Sequence, residues 1–195
     1  MKDQQIFGAL APVVRQLDAQ QISYCIGGSV ASCLHGFVRT TMDADLLVDL
    51  RHDHVDAFVK ALDTDYYVSA PMIVDAVSRR RSFNIMLYET MFKVDFFIAK
   101  ARAFDQSALS RAQCKLISGA TSTIEVRVAS PEDLVLLKLE WYRKSNDTSE
   151  RQWRDVQEVL KVSRDGLDIP YLRHWASELN LSELLEEALA DAGAC

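Results

Sequence analysis

Apolar side chains recur at Ile6, Leu10, Val13, Val14 and Leu17, and this spacing predicts an amphipathic helix over residues 3–18. Residues 22–26 then read as a strand, 29–35 as a short helix and 42–50 as a second strand. Val55, Phe58, Val59 and Leu62 fall on one side of a helix over 53–62. The stretch around Pro71 is less regular. Residues 83–88 and 92–98 form the arms of a predicted hairpin around Glu89-Thr90-Met91, with Asp95 inside the second arm. Two further strand-like runs, 114–117 and 124–128, flank the loop-forming composition Ser118-Gly119-Ala120-Thr121-Ser122.

The pattern changes at residue 130. Ser130 is placed to cap a helix whose first turn holds Pro131, and Asp133 three residues on makes an imperfect capping box. Three more helices are predicted over 149–162, 170–179 and 182–190. The chain thus reads as α+β, with a mixed region over 1–129 and an all-helical region over 130–195.

Length and composition, 195 residues with 49% hydrophobic, fit one well-buried core with a smaller attached subdomain and exclude a disordered chain. The first ten residues lack the basic segment and apolar core of a signal peptide, so a cytoplasmic location is expected. The longest stretch without formal charge, residues 19–38, is interrupted by Gln20, Gln21, His35 and glycines, and no membrane span is expected. None of Cys25, Cys33, Cys114 and Cys195 is paired at zinc-site spacing, so reduced thiols are the expectation. The net charge of −6 argues against gripping a nucleic-acid backbone but is compatible with a small anionic substrate held through a metal.

The chemistry concentrates at the second strand. Asp43 and Asp45 are two residues apart, so in a strand both carboxylates project from one face and repel unless a cation lies between them. Oxygen-only donors suit magnesium, which takes one or two carboxylates together with nucleotide phosphates and water; the alternative is a solvated strand end. Asp95 lies between Val94 and Phe96 in an apolar strand, where an ionised carboxylate without a partner is costly. Its partner is either a metal shared with the first two aspartates or one of Arg79, Arg80 and Arg81. Three such carboxylates on neighbouring strands supply the ligands for two divalent ions about 3.5–4 Å apart. Gly27-Gly28-Ser29 either lets backbone amides approach phosphate oxygens or is only a turn.

Other candidates carry two readings each. Lys138 shares a helical stripe with Leu134, Leu137 and Trp141, so it either snorkels to water or meets an anion in a cleft. Asp155, four residues after Arg151, reads as one half of a local salt bridge, and Arg39 as a phosphate contact or a solvated loop residue. His52 and His54 lack a third zinc ligand and read as capping or surface residues. His35 and His174 read as packing residues, and Trp141, Trp153 and Trp175 as core.

The set Gly27-Gly28-Ser29, Arg39-Thr40-Thr41-Met42-Asp43-Ala44-Asp45 and Lys93-Val94-Asp95-Phe96 resembles the signature of the DNA polymerase β-like nucleotidyltransferase superfamily. Ser130-Pro131-Glu132-Asp133-Leu134 leading to Lys138, and Arg151-Gln152-Trp153-Arg154-Asp155-Val156, resemble small bacterial proteins related to abortive-infection (AbiEii-type) toxin nucleotidyltransferases. The resemblance implies a small mixed β-sheet carrying the three aspartates, helices behind it and a helical C-terminal part beside the cleft. It implies that Asp43, Asp45 and Asp95 are catalytic and hold two magnesium ions. It places Gly27, Gly28, Ser29, Arg39 and Lys138 at the nucleotide. The implied partners are a nucleoside triphosphate, a hydroxyl acceptor that is a transfer RNA, a protein or a small molecule, and an antitoxin protein. The implied activity is transfer of a nucleoside monophosphate. The alternative is an inactive module of the same fold that binds a nucleotide or a protein.

Overall fold

The computed structural model describes residues 2–36 and 41–193. They divide into two compact units, one of residues 2–30 and 41–128 and the other of residues 31–36 and 129–193.

The first unit is built on a seven-stranded mixed sheet. Its strands are β1 (Tyr24–Ile26), β2 (Asp43–Val48), β3 (Tyr66–Tyr67), β4 (Ser82–Leu87), β5 (Lys93–Ile98), β6 (Gln113–Ser118) and β7 (Thr123–Val128), in the order β3-β4-β5-β2-β1-β7-β6. β2 runs parallel to β5 and antiparallel to β1, while β4 is antiparallel to both β3 and β5. The predicted hairpin is β4–β5: Met91 takes a left-handed φ of 56° in the turn, and Leu87 donates its amide to the carbonyl of Phe92 at 2.9 Å.

Alternation along the central strands separates two faces. Ala44, Leu46 and Val48 of β2, Val94, Phe96 and Ile98 of β5, and Phe83, Ile85 and Leu87 of β4 are buried. Phe96 stacks on Phe83 and meets Phe58 edge-on, which fastens α3 (Val55–Leu62) to this face. α1 (Lys2–Ala19) packs against α3, β5 and β6 through the apolar stripe read from the sequence, with Leu10, Val13 and Leu17 fully buried. Tyr66 ties this helix to the sheet edge by donating its hydroxyl to the Ala9 carbonyl at 2.8 Å.

Three elements depart from the expectation. The region around Pro71 is a helix, α4 (Ala70–Arg79), that buries Ile73, Ala76 and Val77. Pro71 sits in its first turn, where a missing amide costs nothing, so the stretch read as less regular starts a helix. α5 (Ala103–Ser110) and the two-residue strand β3 were not anticipated: β3 is too short to show a period, and the buried residues of α5 include the charged Asp105 beside Phe104, Ala108 and Leu109.

The second unit takes in the latter part of α2 (Gly28–Leu34) and the helices α6 (Pro131–Lys144), α7 (Glu150–Ser163), α8 (Ile169–Glu178) and α9 (Ser182–Ala192). The Ser130 hydroxyl caps α6 by accepting from the Asp133 amide at 3.1 Å and donates to the Asp133 carboxylate at 2.7 Å. Tyr171 donates its hydroxyl to the other Asp133 oxygen at 2.6 Å. The three tryptophans are not core: Trp141 is 44% exposed and Trp153 and Trp175 are half-buried. Trp141 instead presents its ring to the Lys144 ammonium, 4.4 Å from the centroid. His174 is exposed against Trp175, whereas His35 is half-buried with its Nε2 at 2.8 Å from the Ala129 carbonyl. Among the described residues no helix is long and apolar enough to cross a membrane.

Lys138 neither snorkels to water nor stands open. Its ammonium donates to the Asp155 carboxylate at 3.1 Å, joining α6 to α7, and both side chains are buried. Asp155 therefore has a partner on the neighbouring helix in addition to any local one with Arg151. Removing one member of a buried pair strands the other charge, so Lys138→Met is expected to lower unfolding stability by about 3–5 kcal/mol. Lys138→Met/Asp155→Leu should recover most of that loss, as read from the urea midpoints of the two variants.

Candidate active site

The sheet face opposite the apolar one carries the candidate residues. In the parallel register of β2 and β5, Asp45 stands directly opposite Asp95 and Asp43 opposite Lys93. Across the antiparallel pair β5 and β4, Asp95 is opposite Asn84 and Lys93 opposite Met86. Adjacent strands lie about 4.8 Å apart and alternate residues about 6–7 Å apart along a strand, so three carboxylates share one small patch. All three are half-buried.

The Asp43 and Asp95 carboxylates are each held by a neighbour, and Asp45 is held through its backbone. Thr41 donates its hydroxyl to Asp43 Oδ1 at 2.6 Å, an arrangement that fixes the first aspartate at the strand entry. The glycine turn lies directly on the second: the Gly27 amide donates to the Asp45 carbonyl at 2.7 Å, and Gly28 adopts φ +56°. A Cβ on Gly28 would fall 1.8 Å from Asp45 Oδ2, so the position demands glycine for space as well as for conformation. Ser29 follows, buried, at the start of α2. Arg39 lies outside the described residues.

Asp95 is paired with Lys93, whose ammonium lies 2.7 Å from Asp95 Oδ2. Two of the three arginines weighed as its alternative partners go elsewhere: Arg79 donates to Asp75 at 2.6 Å and Arg80 to the Ala99 carbonyl at 2.7 Å. The hydrogen bond to Asp95 holds the Lys93 ammonium above the usual lysine range. Partial burial opposes it, and attraction from Asp95, Asp43 and Asp45 adds to it. Lys93 therefore feels all three carboxylates.

Sequence reasoning singled out the aspartates and the glycine turn, quoted Thr41 and Lys93 only as members of their motifs, and passed over Asn84. The signal for Lys93 and Thr41 was present, because each stands two residues before an aspartate and so shares its face or its turn. Asn84 is visible only through the register of β4 and β5.

The donor chemistry fits a hard divalent ion: oxygen-only ligands on one face, with Asp45 and Asp95 in register. Among the described residues no three or more His, Cys, Asp or Glu side chains are grouped so that they could by themselves hold a metal ion. Magnesium does not require one, since phosphate and water complete its shell around one or two carboxylates. His52 is exposed and His54 accepts the Arg51 amide at 3.2 Å, so neither is turned to this face as part of a ligand set.

No protein-family model and no curated protein matches the sequence. The fold is that of nucleotidyltransferases. The antibiotic-resistance factor ANT(2'')-Ia, known in solution, is similar over 96% of this chain and 97% of its own, with a TM-score of 0.56 at 18% identity. A nucleotidyltransferase-like protein from Thermotoga maritima is similar over 80% of this chain and 96% of its own, with a TM-score of 0.49 at 11% identity. The lincosamide antibiotic adenylyltransferase LnuA is similar over 81% of this chain and 96% of its own, with a TM-score of 0.48 at 12% identity.

Substitution at the glycine turn tests its fit to Asp45. Gly28→Ala is expected to cost about 1–3 kcal/mol from the left-handed backbone alone, more with the clash, as read by chemical unfolding. Gly8→Ala, in the interior of α1 with open space around it, should instead stabilise by about 0.5–1 kcal/mol.

Proposed function

We propose that the protein is a magnesium-dependent nucleotidyltransferase that moves a nucleoside monophosphate from a nucleoside triphosphate to a hydroxyl acceptor. The observation that carries this reading is the register of β2 and β5, which sets Asp45 opposite Asp95 with Asp43 on the same face. The nucleotidyltransferase fold agrees with it.

Asp43 and Asp45 would hold the metal that carries the triphosphate, and Asp95 would hold the second. Magnesium bound there supplies positive charge to the oxygens of the transferred and leaving phosphates. The backbone of Gly28 and the hydroxyl of Ser29 bind phosphate oxygens, a contact that the lack of a Cβ at Gly28 permits, while Gly27, whose amide is held by the Asp45 carbonyl, positions the turn for the nucleotide. Asp95, on the β4 side of the patch, orients the acceptor hydroxyl and draws off its proton. The acceptor oxygen bonds to the α-phosphorus while the bond from that phosphorus to the bridging oxygen breaks, and pyrophosphate leaves. Arg39 and Lys138 take the nucleotide-binding roles that the motif resemblance implies.

A small hydroxyl compound is the acceptor class that the net charge of −6 favours over a transfer-RNA backbone. Action as a toxin with an antitoxin partner, in a cytoplasmic setting, is the narrower role implied by the likeness of Arg151-Gln152-Trp153-Arg154-Asp155-Val156 to the abortive-infection proteins. The alternative is an inactive module of the same fold that binds a nucleotide or a protein.

Thermal denaturation with each of the four nucleoside triphosphates, with and without magnesium, tests the proposal. Saturation at about 100 times the dissociation constant adds about 2.7 kcal/mol to stability. A magnesium-dependent rise in Tm is expected with at least one triphosphate. It should vanish in Asp43→Asn/Asp45→Asn, whose own Tm should be unchanged or higher once two like charges are removed. Absence of a shift with every triphosphate would sink the enzyme reading.

A further inference from the structure

Lys93 is the feature of the site that the nucleotidyltransferase reading does not use. It projects from the same face as the three aspartates, opposite Asp43 in the parallel register, and its ammonium lies 2.7 Å from Asp95. One cation and three carboxylates on a patch of two strands leave a surplus of negative charge. The lysine is the part of that patch able to move: its side chain is 41% exposed and ends a flexible four-carbon stem, whereas Asp95 is 18% exposed. A partly exposed ion pair of this kind contributes modestly to stability, so its place among three carboxylates needs another reason.

We propose that Lys93 is a built-in stand-in for the divalent cation: it neutralises Asp95 in the absence of nucleotide and is exchanged onto the triphosphate when metal and nucleotide bind. The proposal rests on the nucleotidyltransferase reading of this site and extends it to a residue with two alternating partners. Two consequences follow from charge alone. While Lys93 holds Asp95, it competes with any cation that seeks the same oxygen. Once a divalent ion takes that carboxylate, the ammonium is repelled by the ion and attracted to the phosphates beside Asp43, one strand away. The lysine thereby makes metal and triphosphate binding mutually dependent, because the ion gains its ligand only at the cost of an ion pair that the triphosphate replaces.

The test uses two probes that require no knowledge of the base or the acceptor. Mn2+ alone reports the carboxylate patch, and inorganic triphosphate with saturating magnesium reports the phosphate contact; both are measured by titration calorimetry on the intact chain. Binding at the site is defined by its loss in Asp43→Asn/Asp45→Asn. In Lys93→Met, Mn2+ is expected to bind about tenfold more tightly and triphosphate about tenfold more weakly, and Lys93→Arg should match the native protein on both. Lys93→Gln supplies the same comparison should the methionine variant fail to fold. An affinity within twofold of native for either probe overturns the proposal while leaving the nucleotidyltransferase reading intact. A native protein that binds neither probe removes both.

Discussion

The parallel pairing of β2 with β5 is the constraint on which the site depends. Side chains alternate along a strand, so a slip of one residue between these two would carry Asp95 to the opposite face and separate it from Asp45. What prevents the slip is the apolar face: Ala44, Leu46, Val48, Val94, Phe96 and Ile98 are all buried, and Phe96 is clamped between Phe83 and Phe58. Moving any of them by one position would expose apolar area worth about 25 cal/mol per Å2 and bury a carboxylate in its place. The core thus fixes the chemistry without touching it.

The same patch concentrates the local conflicts of the first unit. Like charges face each other across adjacent strands, Gly28 is held at positive φ, and no side chain larger than hydrogen fits beside Asp45. Thr41 and Lys93 offset part of the repulsion by binding Asp43 and Asp95. Local conflicts gathered at one place, in a chain that obeys packing, capping and turn rules elsewhere, support the proposed role of this patch. The buried Lys138–Asp155 pair in the helical unit obeys a different logic, since both of its charges are satisfied by each other across α6 and α7.

Much of this was legible from residue order. The i, i+2 spacing of Asp43 and Asp45 announced a shared face, the glycines ahead of them a turn and the lone carboxylate in an apolar strand the need for a partner, and strong periodicity located α1, α3 and the β4–β5 hairpin. What remained hidden depended on long-range pairing. No local pattern says that β5 lies beside β2 in a parallel register, that Asn84 joins the same row, or that Asp155 reaches Lys138. The helix α4 went unread in the stretch around Pro71 because the effect of a proline depends on its position within a helix, which composition does not reveal. The tryptophans misled because a helical stripe predicts burial only when another element covers it, and Trp141 is left 44% exposed beside Lys144.

The most direct measurement is the position of a metal with respect to the two strands. Crystals grown with Mn2+ and a non-hydrolysable nucleoside triphosphate would locate the ion by its anomalous scattering. The account predicts an anomalous peak within coordination distance of Asp43, Asp45 and Asp95, with phosphate oxygens completing the shell and the Lys93 ammonium turned from Asp95 toward the phosphates. Nucleotide and metal bound elsewhere on the chain, with Asp95 still paired to Lys93, would contradict it.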